Sequence, residues 1–98
     1  MKATLLHTCV SPGGGQALSI TSVPGHAYAF DTQYSDRQEG KKYGGYGDGV
    51  IPPNGTQVTP WVVAPSTPLG PAVVYIEVVS KTGAYAHTTL NFQVAASC

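Results

Sequence analysis

From Trp61 to Val94 the chain spells out alternating strands and the turn chemistry between them, and this constrains its fold more than any other stretch. Trp61-Val62-Val63 stops at the Pro/Ser/Thr-rich run from Ala64 to Pro71. Ala72–Val79 then leads to the turn Ser80-Lys81-Thr82-Gly83, and Thr88–Val94 returns. Side chains alternate sides along a strand, so Val74, Ile76 and Val78 share one face, and Leu90, Phe92 and Val94 share another. The pattern dictates a sheet with one buried side. It leaves Tyr75, Tyr85 and His87 on the outward side.

The rest of the chain agrees with this class. Ninety-eight residues make one domain spanning 1–98, enough for a single modest core. Twelve glycines and eight prolines suit short strands joined by frequent turns, and no stretch holds a 3.6-residue period. We therefore expect an all-β fold. Only 10% of residues are charged and the formal net charge is zero, so no long-range field steers the chain to nucleic acid or anionic lipid. No apolar run approaches the roughly 20 residues a spanning helix needs, so no membrane insertion is expected. The start, Met1 to His7, is too short and polar for a leader peptide, and we read Met1 as opening a fragment excised from a longer product. Cys9 and Cys98 lie near the two ends, and in an oxidising compartment they are expected to pair and close the chain into one loop; the alternatives are two unpaired thiols or a bond from Cys98 to another chain. They lack the paired spacing of a zinc site.

Seven strands are expected. The first spans about Ala3 to Val10, the second Gln16 to Ser22, and the third His26 to Tyr34, with Tyr28, Phe30, Thr32 and Tyr34 facing the core. Residues 35–54 form an irregular Tyr/Gly-rich loop holding most of the charges, with room for a short edge strand near Tyr43 or Val50. The fifth strand follows Asn54-Gly55 and carries Val58, Trp61 and Val63. Pro60 within it predicts an edge position or a bulge, because proline cannot donate to a ladder. A bulge would explain why Val58 and Trp61 fall out of phase.

Seven short strands with turns every 8–12 residues or so describe an immunoglobulin-like Greek-key β-sandwich. The succession Val23-Pro24-Gly25, an alternating strand ending in Tyr34, Gly55-x-x-Val58-x-x-Trp61-x-Val63, Thr67-Pro68-x-Gly70 and Leu90-x-Phe92-x-Val94 resembles bacterial immunoglobulin-like or fibronectin-III-like repeats. The resemblance covers most of the chain and implies a secreted or cell-surface protein. The Tyr/Gly-rich insertion at 38–49, Pro60 and the terminal cysteines depart from the usual form of such repeats.

Chemistry-bearing constellations are sparse. His7, His26 and His87 form no pair at ligand spacing, and no Gly-x-Ser-x-Gly elbow appears. The carboxylates Asp31, Asp36, Glu39, Asp48 and Glu77 lie on outward parities or in the loop, with no apolar pocket to shift one of them. The glycines at 44, 45, 47 and 49 link no strand to a helix, so they do not make a phosphate loop. Lys2, Asp31 and Asn91 invite comparison with an intramolecular isopeptide staple, but parity turns Asp31 and Asn91 away from the core. Asn54-Gly55-Thr56 fits a glycosylation sequon and reads better as a plain Asn-Gly turn. No catalytic residue, cofactor or metal ligand is assigned.

The remaining candidates are tyrosines expected outside the core: Tyr43, Tyr46, Tyr75 and Tyr85. Tyrosine offers a rigid contact surface with a polar tip, suited to interfaces and to stacking on sugars. The expectation is a non-catalytic spacer, adhesion or assembly module whose partners are neighbouring domains or identical subunits, with self-association into filaments among its possible modes. The alternatives are a carbohydrate-binding module that engages glycan through these tyrosines, and a small virion decoration or assembly subunit.

Overall fold

The computed structural model describes residues 1–98, and its strands form two sheets. In chain order the elements are β1 (Lys2–Leu5), β2 (Cys9–Val10), β3 (Gly15–Thr21), β4 (Ala27–Gln33), α1 (Gly40–Tyr43), β5 (Tyr46–Val50), β6 (Thr56–Val62), β7 (Gly70–Val79) and β8 (Tyr85–Val94). One sheet has the order β1-β3-β6, the other β2-β8-β7-β4-β5. The all-β class expected from the sequence holds. The count is eight strands rather than seven, because the first expected strand divides in two.

That division has a local cause. Gln16 is buried, yet its side chain reaches the backbone of His7: Oε1 accepts from the His7 N–H at 3.0 Å and Nε2 donates to its C=O at 2.7 Å. The amide side chain thus replaces a ladder partner where the chain leaves the small sheet. Freed there, the chain crosses over and β2 pairs in parallel with β8, Cys9 opposite Gln93 and Val10 opposite Val94. Crossing places Cys9 beside the end of β8, and a disulfide joins it to Cys98 with 5.8 Å between Cα atoms. Neither cysteine is free.

The core lies between the sheets. β3 contributes Leu18 and Ile20, β4 Phe30, β7 Ala72, Val74, Ile76 and Val78, and β8 Phe92 and Val94. Alternation predicts this set, and the fully buried Leu18 and Val74 mark its centre. Tyr28, Phe30, Thr32 and Tyr34 take the inward parity expected of them, with Phe30, Thr32 and Tyr34 buried. Trp61 packs against Phe30 and Phe92, ring centroids 5.9 and 6.5 Å away. The strand carrying Pro60 is an edge strand, as expected, but it holds no bulge: β6 pairs one-to-one with β3 from Gly15–Val62 to Thr21–Thr56. Val58 is out of phase with Trp61 because it simply faces solvent, 57% exposed.

Candidate functional site

The outward side of the five-stranded sheet carries the exposed tyrosines Tyr46, Tyr75 and Tyr85 with a set of polar side chains. Register sets them in rows. Tyr85, Val79, Ala27 and Val50 make the first, His87, Glu77, Ala29 and Asp48 the second, and Thr89, Tyr75, Asp31 and Tyr46 the third. Each row runs across β8, β7, β4 and β5, so neighbours within it stand about 5 Å apart. The alanines of β4 make the middle of the face low, while tyrosines rise at the corners.

This relief produces a groove of about 320 Å³ over Ala29, walled by Tyr75, Tyr85 and His87 and edged by Asp31, Glu77 and Thr89. A second hollow of about 360 Å³ adjoins it over Ala27, Asp48 and Val50. The volume is at the lower end for ligand sites, room for one ring or one long side chain. Tyr75 and Tyr85 stand two rows apart and flank the groove between them. Tyr85 lies against the His87 imidazole, centroids 5.3 Å apart with planes inclined by 36°. Attraction of its hydroxyl proton to the Glu77 carboxylate raises the Tyr85 pKa above the usual phenol value. Tyr75 donates a long hydrogen bond, 3.4 Å, to Gln33 Oε1. Tyr46, Tyr75 and Tyr85 are about half exposed.

The charge on this face is one-sided. The strands of the five-stranded sheet contain Asp31, Asp48 and Glu77 but no lysine or arginine. The basic residues lie at Lys2, in the loop at Arg37, Lys41 and Lys42, and in the turn at Lys81. Zero net charge therefore hides a locally acidic surface. The carboxylates were assigned outward positions from parity, but only the register shows three of them sharing a face with the tyrosines.

Tyr43 requires a correction. It was expected among the exposed tyrosines, but it is a core residue, 6% exposed, with its ring edge-on to Tyr34 at 5.3 Å. The reason lies in how the loop closes. Asp31 Oδ1 accepts from the Gly40 N–H at 3.0 Å, Thr32 Oγ1 donates to the Gly45 C=O at 2.8 Å, and Tyr34 Oη donates to the Gly44 C=O at 2.7 Å. These bonds draw the segment inward and let the single turn α1 bury Tyr43. Its hydroxyl stays at the rim and donates to Asp36 Oδ2 at 2.6 Å. That bond lowers the Asp36 pKa and raises that of Tyr43. Burial raises the Tyr34 pKa.

Gly45 makes the inward turn feasible. Its φ is +94°, and a Cβ there would sit 2.5 Å from Thr32 Oγ1 and 2.8 Å from the Trp61 ring. The glycine-rich segment is thus a close-packed crossing under Trp61, not a pliant loop.

The other sequence candidates stay dispersed. Lys2 lies on β1 of the small sheet, whereas Asp31 and Asn91 lie on the outer side of the large one, so the staple constellation does not assemble. His7, His26 and His87 belong to three separate segments, and no three His, Cys, Asp or Glu side chains converge as a metal site. The Asn54 side chain accepts from the Thr56 N–H at 3.0 Å, closing the Asn-Gly turn. No helix is long and apolar enough to cross a membrane.

No family model matches this chain, and a search of curated proteins finds no significant relative.

Proposed function

We propose that the chain is a non-catalytic immunoglobulin-like Greek-key sandwich from an extracellular or cell-surface protein, serving as an adhesion or assembly module. Its strand order supports the fold: the chain changes sheets at every connection except β4–β5 and β7–β8, β3 pairs with β6 across the chain, and the first expected strand is shared between the two sheets. The Cys9–Cys98 disulfide is compatible with life outside the cell. The observation that carries the functional reading is the tyrosine-walled groove, exposed on a rigid sheet and lined with both apolar and polar groups. Such a surface suits a neighbouring domain or an identical subunit presenting a complementary face.

Sedimentation velocity over a rising concentration series tests this. The wild type should associate, and the Tyr75→Ser/Tyr85→Ser variant should remain monomeric with an unchanged melting temperature. A wild type that stays monomeric at the highest concentration would sink the identical subunit as partner, and a variant that associates as well as the wild type would sink the groove as the contact. The carbohydrate reading keeps one specific support: aromatic walls beside the Asp31 and Glu77 carboxylates match a sugar ring that stacks by one face and donates hydroxyls at its edge. Polysaccharide pull-down by the wild type, lost in the same variant without any self-association, would favour it.

A further inference from the structure

The edge strand β5 has a bonding capacity that the chain itself leaves unused. Ile51, which continues β5, donates its N–H to the His26 C=O at 2.9 Å and accepts from the Gly25 N–H at 2.9 Å, so both its backbone groups face the neighbouring strand. In an antiparallel pair the facing direction alternates with each residue. Gly49 and Gly47 therefore turn their groups toward β4, while Val50, Asp48 and Tyr46 turn theirs away from the sheet. No hydrogen bond within the chain reaches those three outward pairs.

The four sheet edges differ in how they are guarded. β6 carries Pro60 at mid-strand, β1 has four residues, and β2 has two and opens on the disulfide-bonded Cys9. β5 has five residues with no proline, and its only guard is Asp48. A lone acid guards selectively. In a full-length antiparallel pairing of two β5 strands, Tyr46 opposes Val50 and Asp48 opposes Asp48, so a second copy meets like charge at the centre. An acidic strand meets the same obstacle, and on the same face Glu77 shares the row of Asp48 while Asp31 lies in the next. A basic strand meets attraction instead.

We propose that β5 is a docking edge for an extended segment of a partner protein, added antiparallel, with lysine or arginine opposite Asp48 and apolar residues opposite Tyr46 and Val50. The backbone groups of Tyr46, Asp48 and Val50 supply the hydrogen bonds, and the acidic face supplies the selectivity. The docking is independent of whatever occupies the tyrosine-walled groove.

The probe is a capped seven-residue peptide with valine, lysine and valine at alternate positions and threonines elsewhere, titrated into the whole protein and followed by amide chemical shifts. Shifts should centre on Tyr46, Asp48 and Val50 and weaken with salt. Replacing the peptide lysine by glutamate should weaken binding about five- to tenfold, as expected for exchanging a favourable cross-strand pair for a repulsive one. Methylating the amide nitrogen of that lysine should abolish binding, because this N–H meets the Asp48 C=O. In Asp48→Lys the preference should pass to the glutamate peptide, while Tyr75→Ser should bind as the wild type does. No shift at millimolar peptide, equal binding of the glutamate or N-methylated peptide, or shifts centred on Tyr75 and Tyr85 would each overturn the proposal.

Discussion

Replacing Cys9 and Cys98 by serine should lower the melting temperature by about 20 °C while leaving the fold intact. The bridge joins residues 89 positions apart, so it closes nearly the whole chain into one loop. The chain-entropy relation gives about 4–5 kcal/mol for a loop of that length, acting on the unfolded state. A 98-residue domain has an unfolding entropy of about 0.2 kcal/mol/K near its melting point, which converts that loss into the stated drop. Against a total stability of about 5–15 kcal/mol, the variant is marginal but folded. The native contacts beside the bridge survive: Gln93 still donates to the Thr8 C=O, and Ala95 to that of Val10. Thermal unfolding by circular dichroism, on the double variant and on wild type under reductant, gives the magnitude. Folding kinetics show when the loop closes: the loss falls on folding if the two ends already meet in the transition state, and on unfolding if they meet after it. A drop below about 5 °C would refute the loop-closure argument. The bridge would then only pin a fraying end.

Gly45→Ala places a side chain at φ +94° against Thr32 and Trp61; we expect a loss of about 3 kcal/mol or more in urea unfolding, combining backbone strain with a clash. Leu18→Ala, at a fully buried position, should cost about 2–5 kcal/mol by the same measurement. The Asp36–Tyr43 bond gives two pH limbs. Asp36 is depressed in the folded state, so its contribution is present above its ordinary value of 3.8 and is lost as pH falls through the folded pKa. Tyr43 is raised, so its contribution is present below 10.0 and is lost as pH climbs through the folded pKa. Melting temperature against pH should lose part of both limbs in Tyr43→Phe, and unchanged limbs would show that the bond does not couple to folding.

The strands from Trp61 to Val94 are legible in the sequence because each has one buried face, and a period of two then fixes which residues go inside. The first strand is not legible in this way. Ala3 to Val10 looks continuous, and what breaks it is the side chain of Gln16, a residue nine positions away from His7 acting as a backbone substitute. The same limit applies to Tyr43. Its burial depends on three hydrogen bonds between loop backbone and the side chains of Asp31, Thr32 and Tyr34, none of which leaves a periodic mark. Gly44 and Gly45 were the available signal: adjacent glycines with positive φ beside an aromatic residue mark a backbone pressed against a ring.

For function the difficulty is of another kind. Parity shows which side chains point outward but not which of them meet, because meeting depends on strand order and register. Asp31, Asp48 and Glu77 are distant in sequence and come from three strands, yet the pairing of β5 with β4 and of β4 with β7 gathers them on one face. Zero net charge speaks only to the field far from the molecule. It carried no information about a dipolar surface, since opposite charges on separate parts cancel in the sum and persist locally within about 10 Å at ordinary ionic strength. Groups that bind partners act over that shorter distance. The acidic sheet face, its low alanine floor and the open β5 edge therefore follow from register, and register in turn follows from the core residues that first identified the strands.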